Sequence, residues 1–329
     1  MSDESSPYNF ESHHATGLLQ LGYLVQNQQT HPFSITLQDL SNLFVVGRRA
    51  KDIYFNLLIQ LCDEHRIPIL VIKGYPSEGL EEQVCECPFW HLDLEKDAIS
   101  FNALDIAKEQ HPSRQISILI SLFEAFSPLS PTARNLFHVI IWKTIISASK
   151  PTLEYLQTTL PFYQHHNASY EEIRGLLQAI PHQLLNRNYD NVTLSKLQYL
   201  PTIISANDTP TTTFAINMLL LKLLANQNQH LPALFLVDPP PLSPQLFHWL
   251  YTRYRATKSS LVIFQTKDKQ LNPPLQQSEN FILTSTSDES PSVLHTQLTE
   301  QELHFLNLNN DQVAVRLRSE PATRFITIF

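Results

Sequence analysis

Residues 42–54 read NLFVVGRRAKDIY, and this stretch decides the fold. The four apolar residues at 43–46 end at Gly47, which is the pattern of a strand buried on both faces. Apolar residues then recur at positions 53, 54, 57, 58 and 61, at the spacing of one helix face. Pro68 and a second apolar run at 69–72 follow, so the sequence predicts a β–α–β unit and a parallel sheet.

Segments on both sides of this unit predict an α/β fold with a helical insertion. Short strands are expected at 18–25, 33–37, 89–94, 98–101, 193–197, 203–204, 233–238, 260–265, 281–283, 313–317 and 325–329. From 106 to about 189 the spacing is helical, with helices expected at 113–126 and 132–147, from Pro151 and Thr152 onward, and after a cap at Ser169. Two later helices are expected at 214–224 and 244–254.

These segments divide the chain into four parts. Residues 1–40 are an N-terminal tail with a short β segment, and 41–105 are the first half of the core. Residues 106–190 are the helical insertion, and 191–329 are the second half of the core with a closing pair of strands.

Composition excludes several classes of protein. The 329 residues include only 6 glycines, whereas an average chain of this length has about 23, so glycine-rich phosphate loops are excluded. The formal net charge of −8 argues against strong sequence-independent DNA binding, which needs a basic face. The three cysteines give no disulfide framework, and the adjacent histidines at 13–14 and 165–166 do not face one metal site.

The ends and the apolar runs of the chain predict a cytoplasmic location. The first ten residues, MSDESSPYNF, are polar and acidic, unlike a secretory signal. The longest apolar runs are interrupted by Lys143 and Lys222, so no membrane span is expected.

Five segments form an ordered set of motifs that spans residues 20–329. They are 42–47 (strand and turn), 66–74 (second strand), 99–104 (ISFNAL), 235–238 (FLVD) and 261–265 (LVIFQ). In this order they resemble P-loop ATPases of the HerA/FtsK type, which include the ATPases of conjugation and type IV secretion. The resemblance implies a RecA-like P-loop core with a mostly parallel sheet, a phosphate loop after 46, a Walker B strand ending at Asp238 and a sensor glutamine at Gln265.

The phosphate loop departs from the pattern of this family. A loop of the form G-x-x-x-x-G-K-[ST] uses its lysine and hydroxyl to hold phosphate and Mg²⁺. Counted from Gly47, the second glycine falls on Asp52, the lysine on Ile53 and the hydroxyl on Tyr54. We expect the Asp52 carboxylate to face and repel phosphates, and Tyr54 is too bulky to hold Mg²⁺. Lys51 lies near, but in a shortened or shifted turn.

Residues 47–51 are therefore interpreted as a simple strand-to-helix turn. Two alternatives remain open, a working ATP site and an altered contact with an anion or a nucleic acid. Arg48, Arg49 and Lys51 would make the contact with an anion or a nucleic acid.

The Walker B region departs as well. Pro239 replaces the glutamate that orients the attacking water in the family, and Lys73 stands where the family has an acidic residue, with Glu78 too far along to substitute. The resemblance implies a vestigial nucleotide site made of Gly47, Lys51, Asp238 and Gln265, without a resident metal. Asp238 is either a residual metal contact or a structural strand end, and Gln265 is either a sensor or a polar cap of the sheet.

Arg253 and Arg255 are candidates for catalysis in trans. The resemblance places an arginine finger near this position, which acts on the nucleotide of a neighbouring subunit. The alternative is a solvated basic end of a helix.

Three functions follow as hypotheses. The first is a catalytically degenerate HerA/FtsK-like protein without ATPase activity or cofactor. It would be a structural or regulatory subunit of a homo- or hetero-oligomeric, ATPase- or DNA-associated complex, with protein partners that include an active ATPase relative. The second is a DNA-translocating ATPase that uses ATP and Mg²⁺ through a non-standard loop. The third is a nucleic-acid adaptor.

Overall fold

The computed structural model describes residues 17–26, 29–75, 79–94, 102–104, 112–180, 194–207, 209–225, 231–266, 280–284, 312–318 and 320–328. The strand expected at 98–101, the histidines at 13–14 and Glu78 lie outside these residues.

Eleven strands of the described residues form one sheet at the centre of the molecule, in the order β2-β1-β11-β10-β9-β3-β8-β7-β4-β6-β5. Its strands are β1 (Leu18–Gln26), β2 (Gln29–Thr36), β3 (Leu43–Val46), β4 (Ile69–Lys73), β5 (Trp90–Asp93), β6 (Thr202–Ser205), β7 (Ala233–Val237), β8 (Leu261–Gln265), β9 (Asn280–Leu283), β10 (Gln312–Leu317) and β11 (Glu320–Ile328). The strands from β9 to β5 pair in parallel, and the remaining pairs are antiparallel. The prediction of a mostly parallel sheet is confirmed.

The helices are α1 (Ala50–Ile59), α2 (Leu80–Val84), α3 (Pro112–Phe123), α4 (Pro131–Ser147), α5 (Leu153–Thr159), α6 (Asn167–Ala179), α7 (Leu194–Tyr199), α8 (Pro210–Ala225) and α9 (Pro244–Thr257). A π-helical turn, Gln60–Glu64, continues α1, and a 3₁₀ segment, Leu160–His166, joins α5 to α6. Over the part of the chain that the structure describes, no helix combines the length and apolarity that a bilayer crossing needs.

Two expectations about secondary structure are wrong. The strand expected at 193–197 is wrong, since Leu194–Tyr199 form α7, and so short a segment has too few residues for its pattern to separate a helix from a strand. Ser169 does not cap α6, since the helix already begins at Asn167, directly after the 3₁₀ segment. Helices α3 to α6 fall inside the predicted insertion, and the four-part division of the chain stays a prediction.

The parallel strands are buried on both faces, and alternate side chains enter two separate cores. In β3, Leu43 and Val45 join the core that α1 covers, while Phe44 and Val46 join the core covered by α3 to α6, α8 and α9. This two-sided burial explains why the core strands are continuous apolar runs. The sheet therefore has helices on both faces. The candidate nucleotide site lies where α1 begins, next to the ends of the neighbouring strands.

Candidate nucleotide site

The carboxyl ends of β3, β8, β7 and β4 lie side by side, and we call this the carboxyl edge. The Gly47 amide donates to the Gln265 carbonyl at 3.0 Å, and the Asp238 amide donates to the Phe264 carbonyl at 2.9 Å. The structure thus brings together Gly47, Gln265 and Asp238. Open α/β sheets bind their ligands at this kind of edge.

The turn that leaves β3 is short. Strand β3 ends at Val46 and α1 begins at Ala50, so only residues 47–49 connect them. Gly47 has a φ of 114°, a conformation that favours glycine because it has no Cβ. In the family's loop, four residues separate the two glycines. Helix α1 begins at Ala50, which is the third of these four positions.

Three backbone amides at the start of α1 donate to carbonyl groups of this turn. The Ala50 amide donates to the Gly47 carbonyl at 3.0 Å, and the amides of Asp52 and Ile53 donate to the Arg49 carbonyl at 3.1 and 3.3 Å. A phosphate loop binds its ligand through such amides. The amides at these three positions are therefore committed to the protein's own carbonyls.

Two of the charged side chains in and after the turn contact residues three or four positions along the chain. Arg49 Nε donates to Asp52 Oδ2 at 2.8 Å, and the Lys51 ammonium lies 5.8 Å from the centroid of the Phe55 ring. Arg48 is exposed. The early start of α1 places the Asp52 carboxylate in an i, i+3 ion pair with Arg49, and its repulsion of phosphates stays a prediction.

Behind the turn lies a buried cluster of Tyr54, Glu81 and Lys73. Tyr54 Oη and Lys73 Nζ both donate to Glu81 Oε1, at 3.0 and 2.7 Å. Tyr54 and Glu81 are fully buried and Lys73 is 2% exposed. The Tyr54 ring packs edge-on against Phe235 and Phe264, so the cluster is fixed between α1, α2 and the sheet.

Burial keeps the phenol of Tyr54 protonated. Desolvation, and after it the charge of Glu81, raises the pKa of Tyr54 well above its usual value. The phenol therefore remains a hydrogen-bond donor to the carboxylate. In place of the magnesium-binding hydroxyl expected in an active enzyme, position 54 carries a side chain bound to the protein itself.

Sequence reasoning missed Glu81. Lys73 ends a strand whose five residues are all buried, and a buried ammonium requires a counter-charge. A buried lysine at position 73 therefore predicts a carboxylate beside it, but the sequence does not show which one. Glu81 supplies this carboxylate from α2, eight residues along the chain.

Asp238 lies at the end of β7 with a φ of 41°. Its Oδ1 accepts from the Thr266 amide at 2.7 Å, and its Oδ2 accepts from the Thr266 hydroxyl. The carboxylate thus joins the ends of β7 and β8. Thr266, which follows the sensor position, is a second residue that sequence reasoning missed.

The segment after Asp238 is held by α8. The buried Asn217 donates from Nδ2 to the Pro241 carbonyl at 3.1 Å, and its Oδ1 accepts from the Ser243 amide at 3.0 Å. Pro239 occupies the position of the family's glutamate and has no side-chain group that accepts a proton.

Arg253 and Arg255 lie elsewhere, near the carboxyl end of α9. Arg255 lines a cleft of about 490 Å³ together with Lys258 and Arg318, beside the residues where β3 and β9 begin. This amino edge is opposite the carboxyl edge, so the two arginines are not brought together with Gly47 and Asp238. Among the described residues, no group of three or more His, Cys, Asp or Glu side chains is arranged to hold a metal.

Comparison with known proteins gives a match in structure alone. No family model matches the chain, and no curated protein does. Solved structures do match it, among them two of the bacterial conjugative coupling protein TrwBdeltaN70, a trigonal form in complex with sulphate and an unbound monoclinic form. Each aligns with a TM-score of 0.56 and 8% identity over 89% of this chain and 86% of that chain. The protein therefore has the fold of this coupling protein, and the α/β architecture with a RecA-like P-loop core is confirmed.

Proposed function

We propose that the protein is a catalytically degenerate P-loop-fold subunit that binds no nucleotide. It would act as a structural or regulatory component of a larger ATPase- or DNA-associated complex. The observation that carries the proposal is the buried cluster of Tyr54, Glu81 and Lys73 behind a three-residue turn.

The chemistry of nucleotide binding supports this proposal. A P-loop site needs amide donors and a lysine for the phosphates, and a hydroxyl and a carboxylate for Mg²⁺. The amides at 50, 52 and 53 are used by carbonyls of the turn. Lys73 is paired with Glu81, and Asp238 with Thr266. Breaking a buried ion pair costs about 3–5 kcal/mol, so a nucleotide that recruited Lys73 would first have to offset that cost.

The other two functions have less support. An ATP-driven motor needs a group that orients the attacking water, and Pro239 offers none. A nucleic-acid adaptor needs a basic face, but Arg49 is paired with Asp52 and the chain carries a net charge of −8.

The proposed role of the protein is to bind partner proteins. The coupling protein with the same fold is named for bacterial conjugation, which favours a place in a DNA- or ATPase-associated assembly. Arg255 and Lys258 are exposed at the amino edge, away from the chain's own carboxyl edge. In a ring or stack of subunits, Arg255 would act on the nucleotide of an active neighbour.

Addition of 5 mM Mg·ATP or Mg·ADP (about a hundred times a Kd of 50 μM) should leave the melting temperature of the purified protein unchanged. A ligand at about 100 times its Kd stabilises the native state by about 2.7 kcal/mol, which would raise Tm by several degrees. Differential scanning fluorimetry makes the measurement, with EDTA in place of Mg²⁺ as the control. A saturable rise that requires Mg²⁺ would favour the motor instead.

A further inference from the structure

Cys62 is more than twenty residues from Cys85 and Cys87 in the sequence, but the three cysteines lie in one region of the fold. Cys62 lies in the π-helical turn after α1, whereas Cys85 and Cys87 lie between α2 and β5. Cys62 and Cys85 are buried in the core under α1, and the partly buried Cys87 packs against that core. These are the 3 cysteines of the 329-residue chain, and all of them belong to the core under α1 or pack against it.

The backbone around these cysteines is fastened at close range. Asp63, the neighbour of Cys62, accepts the amides of Glu86 at 3.0 Å and of Cys87 at 3.1 Å through its two carboxylate oxygens. This clamp holds Cys87 beside the π-helical turn. Interaction with Cys87 is the largest cause of the raised pKa of the Cys62 thiol, and the Cys87 thiol donates to the Pro88 carbonyl at 3.7 Å.

We propose that Cys62 and Cys87 are a redox site that forms a reversible disulfide. Cys87 is the entry point, because it is the partly exposed thiol of the pair, and Cys62 is the buried thiol that resolves the reaction. The co-reactant is a small-molecule disulfide, RSSR.

The reaction is a pair of thiol–disulfide exchanges. The Cys87 thiolate attacks one sulfur of RSSR, which forms the Cys87–SR bond, breaks the S–S bond and releases RS⁻. The Cys62 thiolate then attacks the Cys87 sulfur and releases the second RS⁻. The two protons of the cysteine thiols pass to the two leaving thiolates. The protein loses two electrons, and RSSR is reduced to two RSH.

The surroundings favour this pairing over one with Cys85. Cys85 is buried, and its thiol has a pKa raised to about 12, first by burial and then by the charge of Asp63, so it does not meet RSSR from solvent. The hydrogen bond with Cys87, followed by burial, raises the pKa of Cys62. Both buried thiols thus have raised pKa values, and Cys62 is distinguished from Cys85 by its contact with the Cys87 side chain.

A disulfide at this point would fasten one segment of the fold. Residues 62 and 87 bracket β4 and α2, and α2 carries Glu81 of the buried cluster. Closing a loop restricts the unfolded chain and stabilises the native state. The inference does not depend on the proposed function, since the thiols pair whether or not a nucleotide binds.

The test is oxidation of the full chain by oxidised glutathione. The reduced protein is equilibrated with the reagent, quenched with acid, alkylated and analysed by intact mass and peptide mapping. We expect loss of two thiols, a peptide cross-link between Cys62 and Cys87, an alkylated Cys85, and full reversal by dithiothreitol. The Tm should rise by about 5 °C on oxidation.

Cys85→Ser is the matched control and should give the same cross-link, whereas Cys87→Ser should give no cross-link and no rise in Tm. Circular dichroism checks the fold of both variants, and the wild-type peptide map decides the pairing even if one variant fails to fold. Three intact thiols, a persistent glutathione adduct on Cys87, or a cross-link through Cys85 would overturn the proposal.

Discussion

Substitution of Glu81 by leucine should reduce the free energy of unfolding by about 3–5 kcal/mol, because it leaves the ammonium of Lys73 buried without a counter-charge. Glu81 is fully buried and Lys73 is 2% exposed, so water cannot replace the lost carboxylate. The Tyr54 hydroxyl loses its acceptor in the same step. Urea unfolding followed by circular dichroism measures the change.

The double variant Lys73→Met/Glu81→Leu is the decisive control. Replacing a buried ion pair by apolar side chains of similar volume is often neutral or stabilising, so we expect the double variant to recover most of the lost stability. Tyr54→Phe removes one hydrogen bond and should cost about 1 kcal/mol. An E81L protein within 1 kcal/mol of the wild type would mean that the cluster does not carry the ion pair described.

Substitution of Gly74 by alanine should destabilise the fold by about 3 kcal/mol or more, the upper range of overpacking effects. A Cβ at this position would lie 1.9 Å from the Asp238 carbonyl oxygen and 3.0 Å from its carbon. Both are backbone atoms, and the Gly74 amide is bonded to the Val237 carbonyl at 3.0 Å. The ends of β4 and β7 would have to separate, which also displaces the carboxylate of Asp238.

Gly175→Ala is the matched comparison for Gly74→Ala. An added Cβ at Gly175 meets no atom within 4 Å, and the residue lies inside α6. Alanine in a helix interior is about 0.5–1 kcal/mol more favourable than glycine. Thermal unfolding of both variants makes the comparison, and equal stability of G74A and G175A would contradict the close approach of β4 to β7.

The sequence predicted the central sheet well because burial on both faces leaves a direct signature. Strands β3, β4, β7 and β8 are apolar runs that have no other stable place than the interior of a sheet. Short segments with mixed polarity gave less information. The strand expected at 193–197 lay in a segment too short for its pattern to separate a helix from a strand, and the structure has a helix there. At Ser169 the sequence had a cap pattern, but α6 begins two residues earlier.

The carboxyl edge was predictable only in part. Gly47, Asp238 and Gln265 were placed together by the resemblance to P-loop ATPases, and in the structure they meet because parallel strands end at one edge of a sheet. The partners of these residues depend on tertiary contacts. Glu81 comes from a five-residue helix that has no periodicity to detect, and the ion pair of Asp52 with Arg49 depends on where α1 begins.

Release of phosphate from ATP tests the central claim most directly. The wild-type protein is compared with Asp238→Asn, which keeps oxygen and shape for the contact with Thr266 but loses the charge that would hold Mg²⁺. The account predicts that both proteins release phosphate at the rate of a protein-free control. Steady turnover by the wild type that disappears in Asp238→Asn would contradict it.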